Sequence, residues 1–329
     1  NYQSRDDTFT IEYGTDGMSL AITYMNATQG WVPTIDEAVT DVPSKGNSEG
    51  IFGFGYDGSR ASMTNLVSNA GVVATDTTGV GTAREALTAT QYGGDKGIFG
   101  FGHDGGYASM TNLVSNAGVV ATDVTGVGTA RNYMAACSYG SDKGIFGFGN
   151  TGSVTAVTNL VSNAGVVATD VTGVGTARKQ LAACEYGTDT AIFGFGTTGS
   201  NVSMTNLVSN AGVVATDVTG VGTARRNLAA CGYGYDKGIF GFGNTGSRTA
   251  VTNLVSNAGV VATDVTGVGT ARENLAACEY GGDKGIFGFG HDGSSQVGMT
   301  NLVSNAGVVA TDVTAVGTAR WNLAACSFN

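Results

Sequence analysis

The stretch Thr64–Asp76, TNLVSNAGVVATD, is the strongest indication of the fold, because the chain contains it six times without a change. The other five copies occupy residues 111–123, 158–170, 205–217, 252–264 and 300–312. Each copy lies in a longer unit that begins with (G/A)IFGFG, at Gly50, Gly97, Gly144, Ala191, Gly238 and Gly285. Successive units start 47 positions apart, and the last unit gains one residue in its SSQVG stretch. A fixed period of this size is typical of an array of repeated structural units.

Each unit contains four short runs that are typical of β-strands, namely IFGFG, TNLVS, GVVAT and LAACxY. The runs are rich in apolar, β-branched or aromatic residues, and clusters of Gly, Asn, Asp and Ser separate them about every ten residues. No stretch has the periodicity of about 3.6 residues that indicates a helix. The sequence therefore predicts an all-β fold, a six-bladed β-propeller of four-stranded blades, with a β-solenoid as the alternative.

The two ends of the repeated region complement each other. The C-terminal segment Arg320–Cys326, RWNLAAC, contains a first-strand run with no second strand after it. The first unit starts instead at a second strand, Gly50–Gly55. We therefore expect the C-terminal strand to pair with Gly50–Gly55 in blade one, which closes the ring and removes two exposed sheet edges.

Residues 1–49 lie outside the repeat and differ from it in composition. Strand-like runs at Thr8–Tyr13 and Met18–Tyr24 surround Gly14–Gly17, GTDG, which is typical of a hairpin turn. The sequence thus predicts an N-terminal hairpin and linker over residues 1–49 and a propeller over residues 50–329. The N-terminal segment is either a lead-in to the propeller or an attachment to a larger assembly.

Charge excludes several classes of partner. The net charge is −10 and the sequence pI is about 4.5. Nucleic acid and anionic membrane surfaces require clustered Lys and Arg, so neither is an expected partner. No apolar run approaches the roughly 18 residues of a membrane-spanning helix, and we expect no membrane insertion.

The cysteines occupy one equivalent position per unit, where the first unit has Thr90. They are Cys137, Cys184, Cys231, Cys278 and Cys326. Equivalent positions lie on different blades of a ring, so we expect free buried thiols rather than disulfides. The CxxC spacing of zinc sites is absent, and the sequence predicts no metal site and no cofactor.

Catalytic constellations are absent as well. His103 and His291 each precede Asp-Gly in a variable stretch, which is typical of a solvated turn. An Asp recurs at the end of every TNLVSNAGVVATD copy, as in Asp76, where a turn-forming Asp that bonds its own backbone is favoured over a calcium ligand. The Arg that recurs in every unit, as in Arg84, is expected to pair with acidic turn residues. We therefore expect that the protein is not an enzyme.

Two stretches vary among otherwise near-identical units, and they supply the candidate binding residues. One is the connection between the second and third strands, and the other is the pair after each recurring Arg. In an antiparallel blade both connections emerge on the same side of the sheet. The candidate ligand-binding residues on this face are Tyr56, Arg60, His103, Tyr107, Tyr133, Lys179, Arg226, Arg248, His291 and Trp321. Rigid scaffolds commonly carry binding residues on such connections, although surface loops also vary by drift.

The repeated unit resembles two groups of known proteins. The phrase Arg225–Gly243, RRNLAACGYGYDKGIFGFG, resembles the kelch pattern of an Arg, a small-residue strand, a turn and an aromatic strand ending in glycines, which implies a propeller. Separately, GVVATDVTGVGTAR together with YGxDKGIFGFG resembles repeat proteins of tailed phages of aquatic bacteria.

From these observations we expect a non-enzymatic binding or structural module. The phage resemblance implies a virion component, such as a tail-fibre, receptor-binding or decoration protein, whose partners are other virion proteins or a host surface receptor or glycan. The alternative is a soluble kelch-like or lectin-like binder of glycans or proteins. Either reading places the protein on a virion or outside the cell, and the sequence leaves open whether it forms oligomers.

Overall fold

The computed structural model describes residues 22–26, 30–33, 48–314 and 316–328. The chain divides into two compact units, Asn1–Lys45 and Gly46–Asn329. In the first unit, β1 (Ile22–Asn26) pairs antiparallel with β2 (Gly30–Pro33). The expected hairpin partner of Met18–Tyr24, Thr8–Tyr13, lies outside the described residues.

The second unit is built from β-strands, and its described residues form six three-stranded antiparallel sheets with no helix. First strands come from LAACxY: β5 (Thr88–Tyr92), β8 (Ala135–Tyr139), β11 (Ala182–Tyr186), β14 (Ala229–Tyr233), β17 (Ala276–Tyr280) and β20 (Ala324–Phe328). Second strands come from GIFGFG: β3 (Glu49–Tyr56), β6 (Lys96–His103), β9 (Lys143–Gly147), β12 (Thr190–Gly194), β15 (Lys237–Gly241) and β18 (Lys284–Gly288). Third strands come from TNLV: β4 (Arg60–Val67), β7 (Tyr107–Val114), β10 (Thr158–Val161), β13 (Thr205–Val208), β16 (Thr252–Val255) and β19 (Thr300–Val303). The all-β prediction is confirmed, and six sheets fit a propeller-like repeat.

Five of the sheets use strands that are consecutive in the chain, and the sixth does not. Its strand order is β20-β3-β4, so the last strand of the chain pairs with the first strand of the repeated region. The register aligns Ala324 with Gly53 and Phe328 with Glu49. This is the strand pairing that the two ends of the repeat predict.

The fourth expected strand, GVVAT, touches its sheet only at isolated bridges. In the first unit these join Thr64 to Thr77 and Val67 to Val73. Between the bridges, the side-chain amide of Asn65 donates to the carbonyl of Ala74 over 2.9 Å. A side chain thus takes the place of a backbone ladder bond, so the segment lies against the third strand without a continuous ladder.

Neighbouring sheets pack through phenylalanines and a buried arginine. The rings of Phe54 and Phe99 meet edge to face, with centroids 5.1 Å apart. A side chain on Gly53 would collide with Phe99, since its Cβ would lie 2.7 Å from the ring. Arg84 is fully buried, its guanidinium lies 4.3 Å from the centre of the Phe54 ring, and its Nε donates to the carbonyl of Phe101 over 2.9 Å. The same cation–π contact recurs in all six units.

The recurring aspartates join one unit to the next. The carboxylate of Asp123 accepts hydrogen bonds from the backbone N–H of Thr82 over 3.0 Å and from its hydroxyl over 2.7 Å. Asn112 donates to the same carboxylate over 2.9 Å, and Arg84 lies 3.8 Å away. The expectation that each Asp bonds its own backbone is therefore wrong, because its oxygens accept from Thr82 of the neighbouring unit and from Asn112 of its own unit. The expectation that the recurring Arg pairs with an acidic turn residue is met by Arg84.

Candidate functional site

The structure brings the two variable stretches together at six isolated bridges. Each bridge joins the residue after a buried Arg to a residue that ends a second strand or lies three positions beyond its end. We call each bridged pair a spoke. The spokes are Trp321–Tyr56, Glu85–His103, Asn132–Asn150, Lys179–Thr197, Arg226–Asn244 and Glu273–His291. We use the term variable face for the spokes, the residue that follows each spoke's first member, and the connections between the second and third strands.

A cycle of backbone hydrogen bonds lies inside the spokes. It is made by the residue that follows each spoke's first member: Ala86, Tyr133, Gln180, Asn227, Asn274 and Asn322. Ala86 N–H donates to Asn322 C=O over 2.8 Å, Tyr133 N–H donates to Ala86 C=O over 3.0 Å, and four more bonds of 2.9 Å return to Asn322. We call these six residues the rim.

All six rim residues have left-handed backbone angles, with φ between 52° and 58°. Asn adopts this conformation more readily than other non-glycine residues, so the three asparagines suit the position. For Tyr133, with φ of 53°, the same backbone is costly. Such outliers persist only where the surrounding structure enforces them, and here the hydrogen-bond cycle does so.

The rim surrounds the mouth of an axial channel. A cavity of about 60 Å³ lies between the rim and a second set of residues, one position further along each unit. We call this second set the collar: Leu87, Met134, Leu181, Leu228, Leu275 and Leu323. Below the collar lie further cavities of about 110 Å³ and 60 Å³, lined by the first strands of all six units. The mouth therefore has polar side chains at its edge and apolar side chains at its floor.

The lowest of these cavities is lined by the cysteines and by the residues next to them. All five cysteines are buried and free, and burial raises the pKa of Cys326 to about 12. Beside them, Gln91 donates to Ser138 over 2.9 Å and to Glu185 over 3.0 Å, which forms a hydrogen-bonded arc in the wall. Among the residues that the structure describes, no group of three or more His, Cys, Asp or Glu side chains could hold a metal ion.

The Glu85 spoke is the first of two acidic spokes on the variable face. Glu85 lies 3.7 Å from the Nε of Arg60, and it accepts a hydrogen bond from the rim amide of Asn322 over 3.0 Å. The Nη2 of Arg60 also lies 3.0 Å from His103 Nδ1 and donates to it. His103 is therefore held by an arginine of the preceding unit. The solvated turn that the sequence predicts does not describe this side chain.

The Glu273 spoke repeats this arrangement with different partners. Glu273 is nearly buried and forms an ion pair of 2.9 Å with Arg248. It also accepts hydrogen bonds from Asn227 over 2.9 Å and from Asn244 over 3.0 Å. The buried carboxylate is thus fixed by three donors next to the rim residue Asn274.

Trp321 lies on the spoke between the two acidic spokes, because its neighbour Asn322 bonds to both Asn274 and Ala86 in the rim. The ring of Tyr56 meets Trp321 edge to face at 6.2 Å, and the ring of His291 lies 5.5 Å from it. The indole Nε1 is buried and has no hydrogen-bond partner in the described part of the chain. An aromatic surface therefore stands between two fixed carboxylates.

The ten candidate residues lie at different parts of the variable face. Six lie around the Trp321 spoke and the two acidic spokes: Tyr56, Arg60, His103, Arg248, His291 and Trp321. Tyr107 accepts a hydrogen bond from Asn150 over 3.1 Å, and Tyr133 belongs to the rim. Burial raises the pKa of Tyr133, as does Glu85, against a hydrogen bond with Asn322. Lys179 and Arg226 lie on the opposite half, where Arg226 approaches Asn201 at 3.5 Å.

Several residues of the variable face were not among the sequence candidates. They are the two carboxylates Glu85 and Glu273 and the rim amides Gln180, Asn227, Asn274 and Asn322. The sequence contained a signal for these residues, because all six lie in the variable pair that follows each recurring Arg. The candidates favoured aromatic and basic side chains, and the amides became recognisable only when the units were brought into a cycle.

Comparison of the chain with protein-family models and with curated proteins finds no match.

Proposed function

We propose that this protein is a non-enzymatic binding module and that its variable face binds a glycan. The observation that carries the proposal is the position of Trp321 between the fixed carboxylates of Glu85 and Glu273. Sugars have an apolar C–H face and a polar edge of hydroxyl groups. An aromatic ring suits the first and carboxylates or amides suit the second.

The chemistry around Trp321 favours an uncharged hydroxyl-rich ligand. Arg60 and Arg248 engage the two carboxylates, so the charges on this half of the variable face are compensated locally. The partly exposed carboxylate of Glu85 can still accept hydrogen bonds from hydroxyl groups, which supports orientation more than long-range attraction. Small-ligand sites commonly combine an apolar surface with a few fixed polar groups in this way.

We infer that the scaffold is a closed six-bladed propeller of kelch-like type, with four-stranded blades if the bridged GVVAT segment is counted. The pairing of β20 with β3 supports closure. So do the contacts between first strands, which run through β5, β8, β11, β14 and β17 to β20 and back to β5. A rigid ring of this kind supports binding because it fixes the variable connections relative to one another.

We further propose that the module is part of a phage virion. There it would serve as a tail-fibre, receptor-binding or decoration protein that binds a glycan on the host surface. The resemblance of the repeat to phage proteins supports this setting. Mass spectrometry of density-purified phage particles tests it: peptides of the 47-residue unit at stoichiometric amounts are expected. Their absence from particles would support the soluble lectin-like alternative instead.

A glycan array tests the binding function itself. The purified protein is labelled and applied to arrayed bacterial and algal glycans. We expect selective retention on a small set of related structures. An array with no retained glycan, repeated with multivalent display of the protein, would contradict the proposal.

A further inference from the structure

We propose that the mouth of the axial channel takes the acetamido group of the bound glycan, so that the ligand class is N-acetylated sugars. This inference rests on the proposed glycan-binding function and adds a specific group to it. The carrying observation is the order of side chains along the channel, with amides at four of the six rim positions and apolar side chains in the collar directly below.

The chemistry of an acetamido group matches this order. Its carbonyl is an acceptor and its N–H is a donor. The side-chain amides of the rim can pair with both groups at the same time. Its methyl group is apolar and gains free energy when the collar residues, such as Leu181 and Leu275, cover it. A hydroxyl group in the same place can bond a rim amide, but it has no methyl group to cover the apolar collar and lacks that contribution. The mouth therefore distinguishes an acetamido group from a hydroxyl.

The volume and position of the mouth agree with a short substituent. The cavity of about 60 Å³ has room for a small group and not for a sugar ring. Trp321 directly precedes the rim residue Asn322, so a sugar stacked on the indole lies next to the mouth. The ring then stays on the surface while its substituent points to the axis.

Two rim amides are available for this pairing. Asn227 and Asn322 already donate to Glu273 and Glu85. The side chains of Gln180 and Asn274 make no hydrogen bond to other residues in the described part of the chain, and both are partly exposed at the mouth. Gln180 and Asn274 are thus the residues assigned to the acetamido carbonyl and N–H.

The first experiment compares two trisaccharides that differ at the position of interest. Isothermal titration measures the affinity for chitotriose, which carries an acetamido group on each ring, and for cellotriose, which carries a hydroxyl there. We expect chitotriose to bind at least about tenfold more tightly, from two hydrogen bonds and one buried methyl. Equal affinities would overturn this inference and leave glycan binding intact. Failure to bind chitotriose, while the array retains other glycans, would overturn it too. Failure to bind any glycan would overturn the proposed function as well.

The second experiment removes the two amides. In the double variant Gln180→Gly and Asn274→Gly, glycine accepts the left-handed backbone of the rim, so the hydrogen-bond cycle is retained. We expect the affinity for chitotriose to fall about tenfold, towards that for cellotriose, while the affinity for cellotriose is unchanged. Val213→Ala, at an exposed position after the third strand and outside the variable face, is the control and should change neither affinity. Equal losses for both trisaccharides would overturn the assignment.

A folding failure of the double variant does not block the test. Gln180→Asn keeps an amide on a backbone that Asn tolerates, and three other rim positions already carry Asn. The shorter side chain should weaken chitotriose binding without affecting the thermal midpoint. Saturation-transfer NMR supplies a readout on the ligand: the acetyl methyl protons should receive the strongest saturation. Stronger saturation of the sugar-ring protons would contradict an acetamido group in the mouth.

Discussion

The carboxylate of Asp76 accepts hydrogen bonds from the backbone N–H of Thr318, over 3.0 Å, and from its hydroxyl, over 2.6 Å, across 242 positions of sequence. The contact has the same form as the bonds of Thr82 to Asp123, which join units that follow each other in the chain. The first and last units therefore meet through the contact that every other pair of neighbouring units uses.

The equivalence of these contacts predicts equal energetic effects. Asp76→Ala and Asp217→Ala should each lower the free energy of unfolding by about 1–3 kcal/mol, because each leaves a Thr N–H and an Asn amide without their acceptor. Urea denaturation of the two variants measures the difference. Thr198→Ala, on an exposed connection, should have no comparable effect.

An open array would give a different result. There, Asp76 would have no Thr318 to accept from, and Asp76→Ala would cost much less than Asp217→Ala. A difference of that kind would contradict the proposed closure of the ring.

Acid should weaken the same contacts. Burial raises the pKa of Asp76, but hydrogen bonds from Thr318 and Asn65, together with Arg320, outweigh it and hold the pKa below 3.8. A carboxylate whose folded pKa is depressed stabilises the protein above its unfolded pKa, and this contribution is lost as the pH falls through the folded value. The pKa is lowered in all six units. We therefore expect the free energy of unfolding to decline steeply below about pH 4.

The measurement is urea denaturation between pH 7 and pH 3, with Asp76→Asn as the matched variant. The variant has one titrating carboxylate fewer, so its stability should depend less on pH over this range. An unchanged pH dependence would mean that Asp76 does not contribute as described.

The thiols should be inert in the folded protein. All five cysteines are buried, and burial raises their pKa values, for Cys326 to about 12. Since the thiolate is the reactive form, an aromatic disulfide reagent at pH 8 should label none of them in the native state and all five in denaturant. Rapid native labelling of any cysteine would contradict the burial of the thiols in a well-packed wall.

Much of the fold follows from the sequence, because the repeat indicates both strand order and the pairing of the C-terminal strand with Gly50–Gly55. The sequence does not predict that the GVVAT segment lacks a continuous ladder. Strand propensity alone favours a continuous ladder there, and nothing local shows that the Asn65 side chain bonds the Ala74 carbonyl instead. The burial of Arg84 could not be predicted for a similar reason. Its contacts are with Phe54 and Asp123, which belong to two different units.

The candidate site could be predicted only in part. Variation among the units indicates where Trp321 and Tyr56 lie, and the structure places these two rings together. The rim could not be predicted, because its hydrogen bonds join residues a full unit apart, such as Asn274 and Asn227. Whether a variable Asn faces solvent or a shared axis depends on ring geometry, which no single unit contains.

Binding of a glycan by the half of the variable face around Trp321 is the central proposal for this protein. The most direct test is a glycan array probed with the wild-type protein, Trp321→Ala and Val213→Ala, with equal folding of all three verified by thermal denaturation. Val213 is 64% exposed on the segment after the third strand, away from the spokes, and serves as the control. We expect wild type and Val213→Ala to retain the same glycans and Trp321→Ala to lose them. Retention of the same glycans by Trp321→Ala, at equal strength, would contradict the claim.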